Sequence, residues 1–263
     1  MLVDGAPRVA CVTPARRVRG RSITTLDGLP PEERDAGALA YLDHGASQCG
    51  FCTPGILLRL SALSDDQRRD RAQVDQALLA HLCRCTGWQT IAEAAAAVGS
   101  PSPAPRDLDA ASRRATIEGR SPQRVGLDAP LGLAPFADDT APRDALVAVA
   151  RADGGFATGE TLSEARRAAE KVQGRRTTID LQHPLDLPPG DWALTLRTTW
   201  VEPAYLEPDA SWASPSGDPV TPLANGGAFG GKASSEVRAV ARELAEESGR
   251  PVRVLYNRED VVR

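Results

Sequence analysis

Gln48-Cys49-Gly50-Phe51-Cys52-Thr53-Pro54-Gly55, followed further on by Leu82-Cys83-Arg84-Cys85-Thr86-Gly87-Trp88, decides how the N-terminal part of this 263-residue chain is read. Four of the five cysteines fall in these two tight pairs, and the fifth, Cys11, stands alone. Pairs spaced C-x2-C and C-x-C, with no signal-peptide pattern ahead of them, make poor disulfide frameworks and good metal sites.

The residues around the pairs predict helices that carry the thiols to one pole. Thr53 is a natural N-cap and Pro54 a natural first helical residue. A helix is expected to start right after Cys52 and run through Ile56, Leu57, Leu60 and Leu63. Its N-terminus would aim backbone N–H groups and partial positive charge at the sulfurs. A second helix is expected from Val74 to Leu82, with Leu78, Leu79 and Leu82 in the core and Cys83 at its end. Residues 89–98 are alanine-rich and read as helix again.

Spacing alone leaves the metal open. Zinc sites take C-x2-C pairs or Cys/His mixtures, and a C-x-C pair is less usual for them. A [2Fe–2S] cluster takes four thiolates, two on each iron.

The remaining composition bounds the function classes. A net charge of −4 gives no electrostatic reason to expect nucleic acid or an anionic membrane as partner. No apolar run approaches the roughly 20 residues of a membrane span. Arg16-Arg17 is a twin arginine without the apolar stretch an export signal needs. A cytoplasmic location is expected from thiols in metal spacing without a leader.

From Gly99 to about Gly126 the chain is rich in Pro and Ser, then charged, and reads as a linker with a short helix around Asp109 to Ile117. Beyond it the pattern is α/β. Strands are expected at Ala145–Ala150, Trp192–Val201 (alternating Trp192, Leu194, Leu196, Thr198, Trp200) and Pro251–Tyr256. Helices are expected at Thr161–Val172, capped by Thr161 or Ser163, and at Glu236–Glu247, ended by Gly249.

A second chemical motif is Asn225-Gly226-Gly227-Ala228-Phe229-Gly230-Gly231-Lys232. So many glycines mean backbone that approaches something closely or takes positive φ. The stretch satisfies most of a P-loop, but Ala233 stands where the magnesium-binding hydroxyl belongs, and Pro219 and Pro222 argue against a buried strand leading in. A plain glycine-rich turn with Phe229 as core plug is the other reading.

QCGFCTPG followed by LCRCTGW resembles the helical [2Fe–2S] domain of the xanthine dehydrogenase and aldehyde oxidase family, the molybdenum hydroxylases, over Val3 to about Val98. The resemblance implies that Cys49, Cys52, Cys83 and Cys85 ligate the cluster nearest the molybdenum cofactor. It also implies that Gln48 and Cys85 approach the pterin. Val9-Ala10-Cys11-Val12-Thr13-Pro14 is similar to the end of the plant-type ferredoxin domain, where the matching cysteine is one of four ligands. The other three come from a C-x4-C-x2-C loop. That loop is not among the residues ahead of Cys11, so this first cluster is expected to be absent.

GGAFGGK is similar to the glycine loop of the family's molybdopterin-binding subunit, which implies that Gly227, Ala228, Phe229 and Gly230 line the cofactor. Thr198 to Pro208 and Phe136-Ala137-Asp138-Asp139 also resemble segments of that subunit. There are departures. Glu202-Pro203 stand where a glutamine or histidine is usual, the stretch from Glu207 to Asn225 is short, and no FAD domain separates the two halves. The family's general-base glutamate matches nothing in this sequence, so no catalytic residue is assigned.

The expected fold class is α+β and multi-domain. A remnant of a plant-type ferredoxin domain would occupy 1–30, a small all-α [2Fe–2S]-binding domain 31–98, a linker 99–126, and a partial molybdopterin-binding-like α/β region 127–263. The resemblance implies an electron-transfer component of a molybdenum hydroxylase, with molybdopterin shared with a partner chain and molybdenum-binding and FAD-binding subunits as partners. The alternative is a non-catalytic iron–sulfur or zinc protein acting as a binding module.

Overall fold

In the computed structural model, residues 1–102, 107–117, 125–171, 186–197, 206–220 and 235–262 are described. The chain forms two compact units, Met1–Pro135 and Phe136–Arg263. The glycine loop with Gly227, Ala228, Phe229 and Gly230, the segment 198–205 and Val172 lie outside the described residues.

The first unit begins with three two-residue strands, β1 (Leu2–Val3), β2 (Ala6–Pro7) and β3 (Ile23–Thr24), in the order β2-β1-β3. Asp4 and Gly5 both take positive φ, the conformation a two-residue hairpin of this hand requires. The Asp4 carboxylate accepts hydrogen bonds from Arg21 and from the Ser22 amide, tying β1 to the approach to β3.

Helices α1 (Pro31–Asp43), α2 (Thr53–Ser61), α3 (Asp65–Arg69), α4 (Arg71–Ala77) and α5 (Gln89–Ala97) then enclose one core. Tyr41 of α1, Ile56, Leu57 and Leu60 of α2, Val74 and Ala77 of α4, and Ile91, Ala94 and Ala95 of α5 fill it. α1 starts on Pro31 with Glu32 and Glu33 in its first turn, where negative charge suits the exposed amides. Ser64 and Gln67 close a capping box on α3, and Asp70 caps α4. A further helix, α6 (Leu108–Ile117), falls within the segment read as a linker.

Three expectations for this unit need correction. Thr53 is not the cap of α2. Cys52 occupies that position without a side-chain bond to the helix amides, and the buried Thr53 hydroxyl pairs with Ser47 at 2.9 Å. α4 ends at Ala77, not Leu82, because the chain turns there, with the His81 amide donating to the Leu78 carbonyl. Leu78 stays in the core, whereas Leu79 and Leu82 are 82% and 88% exposed.

The second unit is a mixed four-stranded sheet with a helix on each face. Its strands are β4 (Leu146–Ala150), β5 (Phe156–Gly159), β6 (Ala210–Ala213) and β7 (Val252–Leu255), in the order β5-β4-β7-β6. β4 and β7 are parallel, with Leu146 opposite Val252, and both outer pairs are antiparallel. The two-residue period of β4 divides the core. Val147 and Val149 pack against Ala165 and Ala169 beside α7 (Leu162–Ala168). Ala148 joins Val252 and Val254 against Val237, Ala241 and Ala245 of α8 (Val237–Ser248).

Thr161 caps α7 in a capping box with Glu164, and Gly249 ends α8 at φ +65. Two segments far apart in sequence meet beside this sheet. The buried Glu207 carboxylate accepts hydrogen bonds from the amides of Ala137 and Asp138, and Asp138 pairs with Arg253 at 3.1 Å. The alternation from Trp192 onward does not form a strand over its described part. Residues 192–197 join neither sheet, and Trp192, Leu194 and Leu196 face solvent. Alternation marks a strand only when a neighbour supplies the hydrogen bonds.

Candidate metal centre

Two turns of the first unit carry the four cysteines. Cys49 and Cys52 lie in the turn that leads into α2, and Cys83 and Cys85 in the turn between α4 and α5. Left-handed backbone shapes both turns, at Gly50 (φ +80) in one and at Gly87 and Trp88 in the other. Cys49 is buried and the other three are partly buried.

The sulfurs meet in two pairs. Cys49 Sγ and Cys85 Sγ lie 3.6 Å apart, and the Cys52 thiol hydrogen-bonds to Cys83. Among the described residues no group of three or more Cys, His, Asp or Glu side chains is gathered as a site for one metal ion. A two-and-two disposition suits a centre in which each of two irons takes a pair of thiolates. It suits a single tetrahedral zinc less well, since that needs all four around one point.

Hydrogen bonds reach the sulfurs from both turns. The Phe51 amide bonds to Cys49, the amides of Cys85 and Thr86 bond to Cys83, and Thr86 Oγ1 lies 3.2 Å from Cys83 Sγ. These donors come from the turns themselves and not from the first turn of α2. Pro54 offers no N–H, and the Thr53 amide donates to the Gly50 carbonyl. The bonds divide the thiols electrostatically. Cys83 is pulled down to about 5, first by the hydrogen bond from Cys52 and then by those from Thr86 and the backbone, against burial. Its partner Cys52 is pushed up by the same bond and by burial, and Cys49 is pushed up by its bond to Cys85 and by burial. A metal centre would take all four as thiolates, releasing the protons that Cys49 and Cys52 hold.

Gln48 is exposed and donates from Nε2 to the Cys85 carbonyl at 3.2 Å, joining the two cysteine turns. Cys11 sits exposed on a short 3-10 turn, Ala10–Val12. Sequence reasoning missed two contributors. Thr86 was visible as a hydroxyl beside C-x-C. Residues 126–135 were read as the end of a linker and the start of the α/β region, yet Ala129 and Pro130 are buried and Leu131 packs on the helical core. Gly132, at φ +73, lets this segment cross Pro54, whose Cγ would stand 2.6 Å from any added Cβ.

Comparison with known proteins gives this geometry a family. The family described as "[2Fe-2S] binding domain" matches residues 25–96. The chain is 42% identical over 97 residues to a probable xanthine dehydrogenase subunit from Bacillus subtilis (strain 168), covering 36% of this chain and 56% of that protein. It is 37% identical over 99 residues to the xanthine dehydrogenase iron-sulfur-binding subunit of Escherichia coli O157:H7, covering 35% of this chain and 60% of that protein. The chain thus spans little more than half the length of these relatives. Aldehyde oxidoreductase from Desulfovibrio gigas matches in fold, with a TM-score of 0.61 at 19% identity over 99% of this chain and 44% of that one.

Residues 25–96 are therefore a [2Fe–2S] binding domain. Through that segment the chain is similar to iron–sulfur subunits of xanthine dehydrogenases. Among the described residues no helix is long and apolar enough to cross a membrane.

Proposed function

We propose that this chain is an iron–sulfur electron-transfer component of a molybdenum hydroxylase, in which Cys49, Cys52, Cys83 and Cys85 hold one [2Fe–2S] cluster. The observation that carries this reading is the pairing of the four sulfurs, Cys49 with Cys85 and Cys52 with Cys83, inside the matched domain. The cluster, when bound, supplies a one-electron relay. The chain's own residues do the rest. Each pair of thiolates would hold one iron, the Phe51, Cys85 and Thr86 amides would offset the negative charge on the sulfurs, and Gln48 ties the two turns to each other.

The family likeness extends the reading to a complex. Gly227, Ala228, Phe229 and Gly230, with Gln48, would border a molybdopterin shared with a molybdenum-binding partner subunit, and an FAD-binding subunit would take the electrons onward. No residue of this chain is assigned to the chemical step, and the location is cytoplasmic. Iron, zinc and molybdenum analysis of anaerobically purified protein, with EPR after dithionite reduction, tests the proposal. About two irons per chain and a spin-half signal are expected. One zinc and no signal would overturn it.

A further inference from the structure

Asp191-Trp192-Ala193-Leu194-Thr195-Leu196-Arg197 has the pattern of a strand and no strand beside it. Trp192, Leu194 and Leu196 are 58%, 76% and 85% exposed. Among the described residues, no backbone group of 191–197 is hydrogen-bonded, and neither Asp191 nor Arg197 is ion-paired. Single exposed apolar residues are ordinary, but three at two-residue spacing make one face of a strand. Such a face beside unpaired backbone is a template for another chain. The start of the segment is held in place. Trp192 Nε1 donates to the Pro188 carbonyl at 3.0 Å, and the indole lies over Gly190, where an added Cβ would stand 2.8 Å from it. The chain bends at Ala193, so pairing has one residue to straighten.

The order of the residues names the occupant. Laid antiparallel against a second copy of itself with Leu194 on the axis, the segment is self-complementary. Each Trp192 then faces Leu196 of the other copy, each Ala193 faces Thr195, and each Asp191 faces Arg197. Opposite charges meet twice and like charges never. All the large apolar side chains fall on one face and all the charges on the other. Moving the register by two residues in either direction leaves Asp191 and Arg197 opposite uncharged residues. In-register parallel pairing would set Asp191 against Asp191, which is destabilising.

We propose that residues 191–197 join two copies of this chain through an isologous antiparallel strand pair centred on Leu194. Main-chain hydrogen bonds supply the affinity, and the Asp191–Arg197 and Trp192–Leu196 pairs set the register. The dimer does not depend on the iron–sulfur reading, which concerns the other unit.

Sedimentation velocity of the full chain over a range of concentrations tests this, with thermal melts alongside. A concentration-dependent dimer is expected. Leu194→Glu sets two carboxylates face to face on the axis and should leave a monomer with an unshifted melt, because Leu194 is exposed. Asp191→Arg should weaken the dimer by about tenfold or more. Asp191→Arg combined with Arg197→Asp should restore it, a rescue that loss of folding cannot imitate. An unaltered chain that stays monomeric throughout overturns the proposal. So does a dimer indifferent to Leu194→Glu, which would place the contact on another face. A charge swap that restores nothing would sink the antiparallel register, and the proposal with it.

Discussion

A methyl group on Gly50 would overlap the carbonyl oxygen of Ala129, so the backbone between Cys49 and Cys52 lies directly against residues 126–135. This contact explains why a glycine stands between the first two cysteines. It takes φ +80 and leaves no room for a side chain. It also makes a segment more than forty residues beyond Cys85 part of the wall of the cysteine pole.

Gly50→Ala should therefore lower both stability and iron content. Left-handed backbone costs a non-glycine residue roughly 1–2 kcal/mol, and the clash with Ala129 adds to it. Gly99, at φ +79 with nothing within 4 Å, is the control. Gly99→Ala should show the backbone penalty alone and keep its iron, by thermal melts and iron analysis run side by side.

Replacing cysteines separates ligands from bystanders. Cys83→Ser and Cys49→Ser each should remove most of the visible absorption and the iron. Cys11→Ser should change neither, since that thiol is exposed on its own short turn. Retained colour in Cys83→Ser would remove that residue from the ligand set.

One isoleucine and one leucine distinguish the core from the surface. Ile91 is fully buried, and Ile91→Ala should cost about 2–5 kcal/mol in denaturant unfolding. Leu79→Ala should stay within about 0.5 kcal/mol, because Leu79 faces solvent. A large loss at Leu79 would point to a longer α4 after all.

The capping box of α7 predicts a local effect in the second unit. Thr161→Ala should destabilise it by about 1 kcal/mol, as its hydroxyl accepts the Glu164 amide hydrogen bond at 3.2 Å. Thr161→Asp should retain most of the stability, measured in the same melts.

Much of this fold can be read from local chemistry. The cysteine pairs, the start of α2 near Pro54, the box at Thr161 and the stop at Gly249 all follow from residues within a turn of one another. What escapes is long-range. Leu79 and Leu82 have helical spacing, yet the turn that presents Cys83 ends α4 first. Trp192, Leu194 and Leu196 alternate as a strand would, but pairing depends on a neighbour that no local pattern names. Ala129 and Pro130 resemble loop residues until Gly50, far away in sequence, gives them a surface to cover. β5 (Phe156-Ala157-Thr158-Gly159) and β6 (Ala210-Ser211-Trp212-Ala213) are as short as β7 but lack its alternating β-branched valines.

The parallel pairing of β4 with β7 also orders events during synthesis. Leu146 and Val252 face each other across about 100 residues of chain. At roughly 5–20 residues per second a ribosome needs on the order of 5–20 s to travel that distance. Throughout this interval the nascent chain already contains every cysteine and all of residues 126–135, while the centre of the second sheet still lacks a strand. Contacts close in sequence form early and distant ones wait. The helical unit can thus fold while the sheet of the second unit still waits for its central strand β7.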